Sequence, residues 1–348
     1  MKVLLTGSAG YIGAVAHQEL QAAGHEVTGL DLGWYAGCDL GPGPEPLETL
    51  VTDVRDVGVD HLRGFEAVVH LAAISNDPIG ELNEDITYAI NERASVGLAE
   101  RARDAGVERF IFSSSCSLYG AGDGFLDETA AFAPVTAYGR SKVRAEMGIA
   151  PLADDAFSPT YMRNATVYGA SPRLRGDVVV NNLTGVAFTT GRVHMMSDGT
   201  PWRPLLHVRD ACRAIVAALA APRDVVHNQA INVGRTEENY RIGDVAEIVR
   251  TAIAGTEITY ADGAGPDLRD YRVDCGKLAA LLPDAVPQLT VADGVAELIR
   301  AFETYGLDEG EIAGARFTRL RRIAELREAG RLGDDLRWTG EPAVFTAG

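Results

Sequence analysis

Along the first half of the chain, short apolar or β-branched runs alternate with longer stretches in which apolar residues return at helical spacing. The pattern predicts strands at Lys2 to Thr6, Glu26 to Leu30, Leu50 to Val51, Ala67 to Leu71 and Arg109 to Ser113. Helices are predicted between or after them, at Tyr11 to Ala23, Tyr88 to Ala105 and Ala137 to Ala150. Such alternation describes an α/β fold with a parallel, doubly wound sheet joined by right-handed crossovers. The glycine- and proline-rich residues 33–46 read as a surface connector.

From about residue 170 the alternation loosens, and polar stretches carrying arginines take over (Arg175 to Thr190, Gly199 to Asp210, Asp262 to Asp274). The expected division is therefore a sheet domain over 1–170, with some later segments returning to it, a smaller C-terminal substrate lobe over 171–310, and a helical tail over 311–348. The tail's mixed-charge stretch, Phe317 to Trp338, is expected to pack on the body or on a partner subunit.

The 348 residues are 46% apolar, enough for a large buried core. A formal charge of −17 argues against nucleic acid or an anionic membrane surface as partner, since either demands a basic face. It leaves room for a phosphorylated small molecule, because a few arginines in a cleft act over a few ångströms. Cys38, Cys116, Cys212 and Cys275 are widely separated, show no metal-ligand spacing, and suit reduced thiols in a cytoplasmic protein. No metal is expected. The longest apolar helix candidate, Ala214 to Ala221, is too short to span a bilayer, and no secretory signal is visible.

Two local patterns carry chemistry. Gly7, Gly10 and Gly13 follow a predicted strand and open a predicted helix, with Tyr11 and Ile12 between them. That context suits a dinucleotide, whose pyrophosphate meets unpaired amides at the helix N-terminus. Asp31 ends the next strand, eighteen residues past Gly13, where a carboxylate accepts from both ribose hydroxyls and repels a 2'-phosphate, so NAD is favoured over NADP. Asp53 and Val54 lie just past the third strand, near the expected adenine, and Leu71, Ala72 and Ala73 end the fourth with small residues suited to a cofactor. For His70 a structural role is expected.

The second pattern is Tyr138 and Lys142, four apart on one helical face, so that the ammonium favours the phenolate. Bringing tyrosine from ~10 to about 7 takes roughly 4 kcal/mol of selective stabilisation. A chance pair on a surface helix is the competing reading of the spacing alone, and the glycine loop upstream weighs against it.

The segments Thr6-Gly-Ser-Ala-Gly-Tyr-Ile-Gly13, His70-Leu-Ala-Ala73, Ser113-Ser-Ser-Cys-Ser-Leu-Tyr-Gly120 and Tyr138-Gly-Arg-Ser-Lys142 resemble the extended short-chain dehydrogenase/reductase family, in its nucleotide-sugar epimerase and dehydratase branch. The resemblance covers roughly residues 1–300 and leaves the tail outside. It implies a Rossmann-like sheet, tightly held NAD, a nucleotide diphosphate sugar as substrate, and a homodimer through two exposed helices. It also implies a triad of Ser115, Tyr138 and Lys142, with Ser114 as the alternative if the register slips, and Asn91 propping the lysine side of the cofactor site.

On the substrate side, Asn181-Asn-Leu183 and Trp202-Arg-Pro-Leu-Leu-His-Val208 resemble UDP-sugar 4-epimerases and imply Asn182 and Arg203 as contacts to nucleotide and diphosphate. Asp267-Leu-Arg-Asp-Tyr271 resembles their late loop and implies Tyr271 near the sugar. Departures exist. The second diphosphate arginine falls on Ala264, so Arg269 is the expected substitute, and Thr166 stands where an asparagine is usual.

A 4,6-dehydratase of this kind carries Asp-Glu where Cys116 and Ser117 stand, which disfavours dehydration. Epimerisation at C3 and C5 would want a cysteine at Ser117, and Cys116 is one residue off. The expectation is a C4 epimerase working through a transient 4-keto sugar. A 4-ketoreductase of deoxysugar synthesis and a non-catalytic NAD-binding regulator are the alternatives.

Overall fold

The computed structural model describes residues 1–75, 83–263, 265 and 269–342. In chain order the strands are β1 (Lys2–Thr6), β2 (Glu26–Asp31), β3 (Thr49–Val51), β4 (Ala67–His70), β5 (Arg109–Ser115), β6 (Ala121–Leu126) and β7 (Ser158–Asn164). The later ones are β8 (Thr166–Tyr168), β9 (Arg192–Met195), β10 (Trp202–His207), β11 (Gln229–Val233), β12 (Asn239–Arg241), β13 (Glu257–Tyr260) and β14 (Asp270–Val273). Seven of them form the central sheet in the order β11-β7-β5-β4-β1-β2-β3, every neighbouring pair parallel.

Alternation along each strand splits the core into two layers. Val3, Leu5, Val69 and Ile111 pack on one face, under the helices Gly13–Ala22 and Val208–Ala220. Leu4, Val68, Phe110 and Phe112 pack on the other, with Leu98, Ala145 and Ile149 of the helices Ala94–Asp104 and Ala137–Ile149. Strand order reverses between β1 and β4, and a crevice opens at their carboxyl ends, the place where such sheets bind ligands.

Short strands build the lobe over that crevice: β8, β10 and β12 in one sheet, β9 with β13 in another, while β14 pairs with β6. The lobe has its own core of Tyr168, Leu183, Leu205, Val249, Leu298 and Phe302. β11 returns to the edge of the central sheet long after the lobe has begun.

Two expectations are corrected. The helix expected from Tyr88 starts at Glu84, with the Asn83 side chain accepting from Ile86 N at 3.2 Å, and passes through a π-helical turn at Ala89–Arg93 before Ala94. Residues 33–46 are no plain surface connector: Cys38 and Leu40 are buried, and Leu40 N donates to Pro172 O at 2.9 Å. What covers this loop is the tail, whose Arg316 donates from Nε and Nη2 to Asp39 O.

That tail packs on the body. Ile312 and Phe317 enter the lobe core, whereas Ile323 and Leu326 of the helix Arg319–Glu328, with Leu332 and Leu336, enter the sheet core. Trp338 Nε1 donates to Leu32 O at 2.8 Å. No helix among the described residues is long and apolar enough to cross a membrane.

Candidate active site

The crevice is a cavity of about 860 Å³, within the range of small-molecule sites. Its floor is the glycine loop. Gly7 has φ +74°, and a Cβ there would meet Ala72 N at 2.8 Å; one at Gly13 would meet Gly7 O at 2.1 Å. Only glycine lets the β1 turn lie this close to the β4 end, and the cradle so formed fits a dinucleotide pyrophosphate. Tyr11 and Ile12 also line the cavity, and the Tyr11 hydroxyl donates to Gly169 O at 2.8 Å, tying the loop to the lobe.

At the far end of the floor, Asp31 accepts from Ala9 N at 3.1 Å with one oxygen and from Gly33 N at 2.8 Å with the other. Burial raises its carboxyl above the ordinary value, against the pull of those amides and of Arg173. Each oxygen keeps a lone pair for a ribose hydroxyl. Val54, Leu71, Ala72 and Ala73 form an apolar wall beside it. Asp53 lines the same wall, but its carboxylate is taken up by Arg55, which donates from Nε at 2.9 Å and from Nη2 at 2.5 Å.

Tyr138 and Lys142 project from one face of the helix Ala137–Ile149, whose N-cap Thr136 accepts from Gly139 N at 3.1 Å. Lys142 is buried; its Nζ donates to Ser113 O at 2.6 Å and stands 4.6 Å from the Phe112 ring centre and 5.7 Å from that of Tyr138. Burial lowers its ammonium to about 7, with Glu146 pulling the other way.

Ser115 closes this end of the cavity. Its Oγ accepts from Ser117 N at 3.1 Å, so its hydroxyl hydrogen remains for a sugar oxygen. The alternative, Ser114, spends its hydroxyl on Glu146 at 2.5 Å, and Glu146 is clamped by Arg163 through Nη2 at 2.7 Å. Cys116 is fully buried, with Sγ donating to Arg163 O at 3.0 Å, and does not line the cavity. That placement removes it as a C3/C5 acid or base.

Asn91 is set back from the cavity. Its Oδ1 accepts from Ile74 N at 2.8 Å, and its Nδ2 donates to Ile74 O at 2.9 Å and to Ser141 Oγ at 3.2 Å. It therefore fixes the chain after β4 to the Tyr138 helix and has no direct path to a cofactor. His70, bridged between Thr6 Oγ1 and Ser95 Oγ at 2.6 and 2.8 Å, is pushed down to about 3 by burial and is structural.

On the lobe side, Asn182, Arg203, Arg269 and Tyr271 all line the cavity. Asn182 Nδ2 donates to Gly176 O at 2.8 Å, whereas Asn181 is buried and braces Gly169. Arg203, also buried, donates to Trp202 O at 2.7 Å and to Arg269 O, with its guanidinium 6.0 Å from the Tyr271 ring centre. Ala264 and Asp267 lie outside the described residues.

The structure adds cavity residues that the sequence did not mark. Asn164 donates to Ser113 Oγ at 3.0 Å, and its Oδ1 is buried without a partner. Arg175, held by Asp177 at 2.9 Å, and Tyr35 line the cavity, as do Thr318, Arg319 and Leu320 from the tail. From the sequence, Arg175, like Arg173, could reach a substrate but reads more simply as a solvated arginine, whereas the tail carries no motif at all. Among the described residues, no group of three or more His, Cys, Asp or Glu side chains is placed to hold a metal.

Comparison with known proteins agrees with this geometry. The profile of the NAD dependent epimerase/dehydratase family matches residues 3–234. A UDP-glucose 4-epimerase of Corynebacterium glutamicum is 31% identical over 268 residues, covering 72% of this chain and 80% of that protein. One from Mycolicibacterium smegmatis is 28% identical over 319 residues, covering 87% of this chain and 98% of its own. The structure of MoeE5 in complex with UDP-glucose and NAD matches with a TM-score of 0.75 at 26% identity, over 87% of this chain and 99% of that one. Because the matched stretch takes in the glycine cradle, the triad and β11 together, this chain belongs to the NAD dependent epimerase/dehydratase family.

Proposed function

We propose that the protein is a nucleotide-sugar epimerase that inverts a hydroxyl-bearing carbon, C4, of a nucleotide diphosphate sugar. The observation that carries this reading is the placement of Ser115, Tyr138 and Lys142 at one end of a cavity whose floor is the glycine cradle and whose lobe wall carries Arg203 and Asn182.

Gly7, Gly10 and Gly13 would hold the pyrophosphate of NAD and Asp31 its adenosine ribose, and the bound cofactor supplies a reversible hydride acceptor. The protein handles the proton. Tyr138 takes it from the sugar hydroxyl onto its phenolic oxygen and returns it after inversion. Lys142 stabilises the phenolate, and Ser115 donates to the sugar oxygen as charge develops there. Arg203 meets the substrate diphosphate, Asn182 and Arg269 add polar contacts, and Tyr271 bounds the sugar. No net redox change occurs, so the cofactor need not leave.

A homodimer fits Met147, which is 65% exposed on the outer face of the Tyr138 helix, and light scattering after gel filtration checks it. Four buried free thiols fit a cytoplasmic setting.

The test of function is incubation with a panel of nucleotide sugars without added cofactor, reading new anomeric signals by NMR. A 4-epimer should appear, and NAD should be released when the protein is denatured. A strict demand for NADPH with consumption of a 4-keto sugar would instead identify a reductase. NAD release without any turnover would identify a regulator.

A further inference from the structure

The tail crosses the crevice rather than lying beside it. Ile312 and Phe317 sit in the lobe core and Ile323 and Leu326 in the sheet core, so residues 318–320 between them are laid along the cavity. Hydrogen bonds pin both ends of the crossing: Gly176 N donates to Phe317 O at 2.7 Å, and the Arg322 side chain donates from Nε to Trp34 O at 3.3 Å.

At the centre stands Arg319. It is 4% exposed, its guanidinium lies 4.0 Å from the Tyr35 ring centre, and Nη2 donates to Arg173 O at 2.9 Å. Nη1 is buried with no hydrogen-bond partner, and among the described residues no carboxylate forms an ion pair with it. Its neighbours' carboxylates are engaged: Asp177 by Arg175 at 2.9 Å and Asp39 by Arg173 at 3.0 Å. Burial lowers Arg319 to about 10, opposed by Tyr35, reinforced by the charge of Arg175, and opposed more weakly by Asp177 and Cys38.

A buried cation without an anion is strongly disfavoured, and the first residue of a helix, the positive end of its dipole, is the wrong place for one. Asp177 and Asp39 act on this guanidinium only from a distance, each being ion-paired with another arginine, so among the described residues the fold gives it no carboxylate in direct contact. It does place it on the wall of a cavity that also holds Asp31 and the glycine cradle, where an anionic ligand would bring the missing charge.

We propose that Arg319 is a cofactor-binding residue supplied by the C-terminal tail, its guanidinium meeting the dinucleotide's diphosphate between the glycine cradle and Asp31. This rests on the reading that the cavity holds NAD. The tail then acts as a strap, and losing the cofactor requires breaking a charged contact backed by two hydrophobic cores.

The experiment is calorimetric titration of the NAD-stripped protein with ADP, adenosine and UDP, for the wild type, Arg319→Gln and Arg319→Lys. Arg319→Gln should weaken ADP at least tenfold while adenosine, which lacks the diphosphate, and UDP, which belongs to the lobe wall, change less than twofold. Arg319→Lys should recover part of the loss. Unchanged ADP binding, parallel loss of ADP and adenosine, or loss confined to UDP would overturn the proposal.

Should the variants not fold, hydrogen exchange on the wild type replaces them: residues 316–324 should slow with ADP and not with adenosine, and equal protection by both rejects the assignment. Neither measurement involves turnover. A protein that binds ADP through Arg319 yet epimerises nothing would therefore remove the proposed activity and leave this inference standing.

Discussion

At the level of single residues, the site turns on one shared proton. A phenolate beside an ammonium and a phenol beside a neutral amine differ only in where that proton sits, so the proposed mechanism ties the Tyr138 proton to the charge of Lys142. With burial bringing Lys142 to about 7, kcat/KM should rise with pH through about 7 and then level off. Lys142→Met should move that limb toward the ordinary tyrosine range, ~10, and lower the rate at pH 7 by roughly 100-fold or more. Tyr138→Phe should lose on the order of 1,000-fold in kcat while still copurifying with NAD, because the phenolic oxygen handles the proton and the glycine cradle the cofactor. Full activity in that variant would remove the mechanism.

At the level of elements, close approaches decide what can pack. The tail docks where glycines leave room: a Cβ at Gly176 would meet Ile312 O at 2.1 Å, and one at Gly185 would meet Ile312 Cγ1 at 2.7 Å. Gly176→Val should therefore destabilise the protein by about 2 kcal/mol and expose the tail to limited proteolysis before the body unfolds. Unchanged protease resistance would count against the docking described. At the glycine cradle, Gly13→Ala should abolish NAD copurification, since its methyl would drive into Gly7 O. The alternating strands of the sheet were legible because each carries an apolar residue toward both cores, as Val3, Leu4 and Leu5 do. The π turn at Ala89–Arg93 was not, because helical periodicity looks the same on either side of a one-residue insertion.

At the level of the whole molecule, stability carries a signature of the buried His70. His70 is held neutral in the fold, its value lowered to about 3, while unfolded it binds a proton below ~6.5. The unfolded state thus takes up more protons in that window, and the His70 contribution is present above ~6.5 and lost as pH falls toward 3. Unfolding free energies from urea titrations between pH 7 and 4 should fall more steeply for the wild type than for His70→Gln, by up to about 1.4 kcal/mol per pH unit. Equal slopes would mean that another group carries the acid sensitivity.

What the sequence by itself determined were the features enforced by neighbours a few residues apart: the parallel sheet from its alternation, the glycine turn and Asp31 from strand-loop-helix spacing, and the Tyr138–Lys142 face from one helical turn. Tertiary structure alone decided which serine keeps its hydroxyl hydrogen: Ser114 and Ser115 both line the cavity, but Glu146, from another element, claims the hydroxyl of Ser114. It also decided that Asn91 braces Ile74 and that a tail nearly 290 residues beyond Asp31 lines the same cavity. Contacts between distant segments leave no periodicity in either partner; they exist only once two separate cores bury the ends of the chain that joins them.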